Sequence, residues 1–212
     1  MAVFVEPTLA AATTERPGSS DISNELAALA ARVSASVVAV RGSRSGAGSG
    51  VVWDARGLIV TNAHVVPDDW AEVELPTGAR FKARVTARSQ HLDLAALQLE
   101  PPIPSDGLVP AAIGDSGRIN VGELVVAVGN PFGERNAITL GMVGGTGPTA
   151  WSDGPRDVLR LAIALRPGNS GGALADVHGR VVGIPHMVVG FGLALAVPSR
   201  VVGRFIHGET SA

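Results

Sequence analysis

The sequence predicts an all-β protein of two six-stranded barrels, with a proline-rich linker between them and a short helix at each end. Three observations carry that expectation. The apolar runs are short and rich in Val, Ile, Leu and Ala; Gly and Pro are plentiful at 27 and 14 residues while aromatics make up 4%; and Gly, Pro or Asp separates one run from the next. A chain of 212 residues with 46% hydrophobic content can bury one substantial core, or two smaller ones that share an interface.

Taken in order, residues 1–20 are rich in Thr, Pro, Gly and Ser and are expected to be a flexible N-terminal segment. Ser23 can cap a helix in which Leu26, Leu29, Ala30 and Val33 recur at helical spacing, giving one apolar stripe to lay on a barrel. From Ser36 the pattern turns to strand and turn: SVVAVRG, GSGVVWD, GLIVTNAHVV, WAEVEL, RFKARVTAR and DLAALQL make six strands, enough for one small barrel over residues 34–99. Glu100 to Pro110 holds four prolines, which lack the amide hydrogen that a ladder requires, and reads as the linker. A second set of six follows over residues 111–198: ELVVAVG, NAITLGMVGG, DVLRLAIAL, GALADV, GRVVGIPHM and GFGLALAV. Pro198 and Ser199 then open a terminal helix from Arg200 to His207. Residues 21–212 thus read as one unit.

Three short segments carry chemistry. Serine is a weak nucleophile at neutral pH, so a serine hydrolase needs an imidazole to take its proton and a carboxylate to hold that imidazole in one tautomer. RPGNSGGAL sets Ser170 among glycines that allow a tight turn, so that backbone N–H groups can converge on an oxyanion. The turn Gly168, Asn169, Ser170 is the expected oxyanion hole, with Gly168 and Ser170 as its donors. His64 ends an apolar strand in IVTNAHVV, and Asp93 leads a strand in HLDLAALQL. Singly, each has an ordinary structural reading: a glycine turn, a satisfied histidine, a surface-turn aspartate. Together they follow the order His, Asp, Ser, which separates this arrangement from triads of other order.

SGVVWDARGLIVTNAHVV, DLAAL and GNSGGAL resemble the histidine, aspartate and nucleophile segments of the HtrA/Deg family of trypsin-like serine proteases. VGNPFG at Val128 to Gly133 and GLALAVPS at Gly192 to Ser199 resemble two further stretches of that family. The resemblance runs from Glu25 to His207. It implies a chymotrypsin-like pair of perpendicular barrels with the catalytic cleft between them, His64 as general base, Asp93 as orienting carboxylate and Ser170 as nucleophile. It implies hydrolysis of peptide bonds in peptides or unfolded proteins, without a cofactor. The residue six before the nucleophile forms the pocket floor in trypsin-like proteases; here it is Ala164, and with Gly192, Leu193 and Ala194 as wall it implies small or medium apolar residues on the acyl side of the cut. A homotrimer built through the N-terminal segment is also implied, with Phe4 as its sole aromatic candidate.

The sequence departs from that family in several places. A protease segment without a PDZ domain is expected, His186 to Gly190 is expected as a short loop where the family has a longer regulatory one, Ala162 replaces a common aspartate, and Pro185 and His186 replace the usual Asn and Thr. Asn169 replaces the aspartate that digestive zymogens pair with a freed N-terminus. A catalytically silent, chaperone-like peptide-binding module on the same fold is the rival from another class.

Two decoys are set aside. GDSG at Gly114 to Gly117 mimics a nucleophile signature, but choosing Ser116 would leave the second barrel without a role, so it reads as a turn. Gly168 to Gly172 also fits the nucleophile elbow of α/β-hydrolases, yet ALADVHGRVVGI after it is a hairpin, with Asp176 and His178 in its turn, and not the helix an elbow needs. His64, His91, His178, His186 and His207 are scattered and cysteine is absent, which gives no metal-ligand spacing. A net charge of -2 without basic clusters leaves nothing for a nucleic-acid backbone to bind. No run is long enough for a membrane span and the first residues lack the basic start of a signal peptide, so a soluble chain is expected, cytoplasmic or, with a leader supplied upstream, periplasmic.

Overall fold

A computed structural model of the chain describes residues 19–42, 47–103, 108–130, 137–151, 154–166, 168–190 and 192–209. Phe4, residues 131–133 of the VGNPFG stretch and part of the linker lie outside the described residues. Twelve strands form two closed antiparallel barrels, as the sequence predicts. The first contains β1 (Val37–Gly42), β2 (Ala47–Val52), β3 (Leu58–Thr61), β4 (Trp70–Glu74), β5 (Arg80–Ser89) and β6 (Leu94–Leu99), closed in the order β1-β2-β3-β6-β5-β4. The second contains β7 (Leu124–Gly129), β8 (Ala137–Thr149), β9 (Arg156–Ala162), β10 (Ala173–Asp176), β11 (Val181–Gly190) and β12 (Leu193–Pro198), closed in the order β10-β11-β12-β9-β8-β7.

The continuous apolar runs are strands buried on both faces. Alternate residues of a strand point to opposite sides. On β3, Ile59 packs inside the first barrel while Val60 faces the second; on β6, Ala95, Leu97 and Leu99 point inward while Leu94 and Ala96 join the interface. On β7, Val125 and Ala127 fill the second barrel while Val126 and Val128 meet the first. The outcome is two barrel interiors and a third core between them. Strands with one wet face alternate instead, as along β4.

Both helices cover that third core. α1 (Ser19–Ser34) buries Leu29, Ala30 and Val33 of the expected stripe. It begins before Ser23, with Asp21 in its first turn and Arg32 in its last, charges that offset the helix dipole at each end. α2 (Ser199–Ile206) adds Val201, Val202 and Phe205. Ser116 of the decoy GDSG is buried beneath α2, where its Oγ accepts from Arg200 N–H at 3.1 Å and its N–H donates to Ser199 Oγ at 3.1 Å. That serine is a helix-capping group. The residues expected to form a loop, His186 to Gly190, belong instead to β11, where Met187, Val188 and Gly190 pair with Leu195, Ala194 and Leu193 of β12. The ladder extends that far because Leu193, Ala194 and Leu195 of β12 supply its partners. Among the described residues no helix is long and apolar enough to cross a membrane.

Candidate active site

The first barrel brings His64 and Asp93 together through one strand pair. Thr61 at the end of β3 lies opposite Ala95 on β6, so the residues just beyond Thr61 and just before Ala95 emerge at the same end of the ladder. A short 3-10 turn, Ala63–Val65, follows β3; Ala63 and Val65 are buried, which turns His64 between them outward. Asp93 occupies the β5–β6 turn with φ of 51°, in the left-handed region that Asp and Asn tolerate better than other side-chain-bearing residues. Asn62 Nδ2 donates to the Asp93 carbonyl at 2.8 Å and holds that turn against the histidine turn.

The Asp93 carboxylate grips His64 twice. Oδ1 accepts from the His64 backbone N–H at 3.0 Å, and Oδ2 lies 2.7 Å from Nδ1. Burial pushes the Asp93 carboxyl up, but hydrogen bonds from His186 and His64 outweigh it and hold the group down at about 2. An ionised carboxylate only accepts, so His64 carries its proton on Nδ1 and keeps its lone pair on Nε2. The Asp93 hydrogen bond raises the His64 imidazole above its ordinary value, partly opposed by burial. A further imidazole shares the site: His186 Nδ1 lies 3.1 Å from the same Oδ2. The sequence placed His186 among scattered histidines; its one signal was the departure from the family pattern at Pro185 and His186.

Ser170 lies on the loop from β9 to β10 in the second barrel, and the first barrel holds that loop directly. Ser49 on β2 is the connector. Its N–H donates to the Ser170 carbonyl at 2.9 Å, its Oγ donates to the Gly168 carbonyl at 2.7 Å and accepts from Asn130 N–H at 2.6 Å, and its carbonyl accepts from Thr61 Oγ1 at 2.6 Å. The fit against the histidine turn is close. A Cβ on Gly171 would stand 2.3 Å from Thr61 Oγ1 and 3.2 Å from Asn62 N, and one on Gly48 would lie 2.8 Å from Val65 Cγ2 and 3.0 Å from the Ser170 carbonyl. The nucleophile loop therefore rests on Thr61 and Asn62, just before His64, while Gly48 sits closely between that loop and Val65, just after it.

Within the turn, Asn169 N–H donates to the Arg166 carbonyl, Gly171 N–H to Pro185 and Gly172 N–H to Asn169, at 3.0 to 3.1 Å. Among the described residues no acceptor takes the amide hydrogens of Gly168 or Ser170. Gly168 has φ of 95°, which L side chains rarely adopt. Of the expected pocket residues, Ala164, Gly192 and Leu193 are exposed, and the Ile163 N–H donates to the Gly192 carbonyl at 2.9 Å, which sets the two chain segments side by side. Ala194 instead packs into the interior of the second barrel.

Residues 48–184 match the family of trypsin-like peptidase domains. Human serine protease HTRA4 is 36% identical over 199 residues, covering 86% of this chain and 41% of that protein. A probable periplasmic serine protease of Haemophilus influenzae, do/HhoA-like, is 34% identical over 171 residues, covering 76% of this chain and 36% of that protein. The chain thus spans well under half the length of these relatives. The solved structure of the HtrA-type protease AlgW with a decapeptide superposes with a TM-score of 0.73 at 25% identity, covering 86% of this chain and 68% of that one.

Proposed function

We propose that this chain, which belongs to the family of trypsin-like peptidase domains and is similar over most of its length to HtrA proteases, hydrolyses peptide bonds in peptides or unfolded proteins through an acyl-enzyme on Ser170. One observation carries the reading: the Asp93 carboxylate fixes both the backbone and the ring of His64, leaving the Nε2 lone pair free beside the turn on which the Ser170 loop is seated. Ser170 Oγ attacks the scissile carbonyl as His64 Nε2 takes its proton; the imidazolium that forms is stabilised by Asp93. The N–H groups of Gly168 and Ser170 receive the oxyanion, each such donor contributing about 3 to 4 kcal/mol to the transition state. His64 then protonates the leaving amine, and water, activated by the same imidazole, releases the acyl group.

Ala164, small and uncharged at the pocket floor, favours small or medium apolar residues on the acyl side of the cut, with Gly192 and Leu193 beside it. A homotrimer built through the N-terminal segment belongs to the same proposal, and the likeness to HtrA proteases is what supports it.

A fluorophosphonate probe tests the reading. Wild-type protein is expected to label and to cleave an unfolded protein, while Ser170→Ala does neither. Labelling rate should climb with pH through a midpoint above the ordinary 6.5 of an imidazole, because Asp93 favours the charged ring. Silence of the wild type together with retained peptide binding would favour the chaperone-like module instead.

A further inference from the structure

The strand β11 touches both halves of the site with two consecutive residues. The Pro185 carbonyl accepts from Gly171 N–H at 3.1 Å, next to Ser170, and the His186 side chain reaches Asp93. His186 is buried, with 4% of its side chain exposed, and its ring lies 5.8 Å from that of Trp151. A buried imidazole is costly to bring in unless its polar atoms are used, and this one aims Nδ1 at the oxygen that already holds His64.

We propose that His186 is a positioning residue: a second imidazole that donates Nδ1–H to Asp93 and thereby sets the orientation of that carboxylate and the basicity of His64. The inference deepens the protease reading and rests on it for its effect on rate. Asp93 then accepts from three donors, the His64 N–H, His64 Nδ1–H and His186 Nδ1–H. Each donor draws charge from the carboxylate, so the third weakens its pull on a protonated His64 and keeps more of that imidazole in the neutral, proton-accepting form near neutral pH. Among the described residues the charged and titratable groups around His186 are Asp93 and, beyond it, His64 from the first barrel, with Arg156 stacked 4.5 Å from the Trp151 ring centre and His91 near Gly154, whose N–H donates to the Trp151 carbonyl. A metal-binding reading of His64, Asp93 and His186 fails on geometry: both imidazoles turn Nδ1 onto one carboxylate oxygen instead of towards a shared empty point.

The test begins with nitrogen-15 imidazole spectra of the Ser170→Ala protein, which needs no catalysis. Near neutral pH both His64 and His186 should show a protonated Nδ1; a His186 that carries its proton on Nε2 overturns the proposal without any further variant. His64 is then titrated with His186 intact, as His186→Phe, which keeps bulk against Trp151 but donates nothing, and as His186→Asn, whose amide can stand in for Nδ1–H. The Phe change is expected to raise the His64 midpoint by about half to one pH unit and the Asn change to return it towards wild type. An unmoved midpoint would reduce His186 to packing. With Ser170 restored, His186→Phe should lower the plateau labelling rate about tenfold, shift its acid limb upward and leave KM for a peptide unchanged, with Asn recovering most of the loss. A wild type that never labels defeats the protease reading alone, since the titration still decides whether His186 acts on His64 through Asp93.

Discussion

The two halves of the candidate site are held by different forces. In the first barrel, His64 is fixed by charge: one largely covered carboxylate grips its ring and its backbone, and the ring itself has room around it, with half of the His64 side chain exposed. In the second barrel, Ser170 is fixed by shape: its carbonyl and that of Gly168 are tied to Ser49, and its glycine neighbours lie where no Cβ fits. The first half should tolerate a change of volume and fail on a change of charge. For the second half the reverse is expected.

The largest effect expected from this contrast is that of Asp93→Asn. Asn accepts the left-handed backbone of Asp93, with φ of 51°, so the turn should survive. The amide cannot accept from His64 Nδ1–H through its nitrogen and favours the wrong tautomer; kcat should fall about ten-thousandfold with circular dichroism unchanged. Comparable loss of structure and activity in this variant would break the comparison, because charge would then also be shaping the fold.

Next comes Gly171→Ala, a change of one methyl group without charge. The added Cβ would stand 2.2 Å from the Ser49 carbonyl oxygen, at a position with φ of 79°. Backbone must move, and the loop carrying Ser170 moves with it. A misplacement of about 1 Å costs on the order of a hundredfold in rate. The expected result is a loss of that size in labelling rate together with a lower melting temperature, while the His64 titration midpoint stays near that of wild type. A large shift of that midpoint would show that the two halves are not independently held.

What the sequence made legible follows the same division. Strand runs, turn punctuation and the proline-rich linker gave the two barrels because these are local signals, each decided within about ten residues. His64 and Asp93 stood out because each sits at a strand end in a recognisable segment. Contacts that depend on how one barrel seats on the other were hidden. Ser49 lies in GSGVVWD with no mark of its bonds to residues 168, 130 and 170, and His186 looked like a loop residue because VVGIPHMVVG gives a strand its faces but not its partner across the interface. For Ala194, expected as pocket wall, the side chain's direction was hidden in the same way: alternation along β12 sends it into the barrel interior while Leu193 before it stays exposed. Ser116, in turn, imitated a nucleophile segment because a helix cap and a catalytic turn draw on the same small polar residues.

The smallest effect concerns stability, and it isolates the charged half. Asp93 is lowered to about 2, so the stability it contributes is complete above the ordinary carboxyl value of 3.8 and is lost as pH falls through about 2. His64 is raised, so its contribution has the opposite sense: complete below 6.5 and lost as pH rises through the elevated folded value. Both act together only between those limits. The difference in melting temperature between wild type and Asp93→Asn should therefore be widest from about pH 4 to pH 6.5 and narrow on either side. It should amount to a few degrees at most, because solvent reaches half of the His64 side chain and screens the pair. Thermal melts across pH measure it. Gly171→Ala, whose defect is steric, should give a melting difference that does not vary over the same range, and a pH-dependent difference there would mean that the nucleophile loop, too, is held by the charge on Asp93.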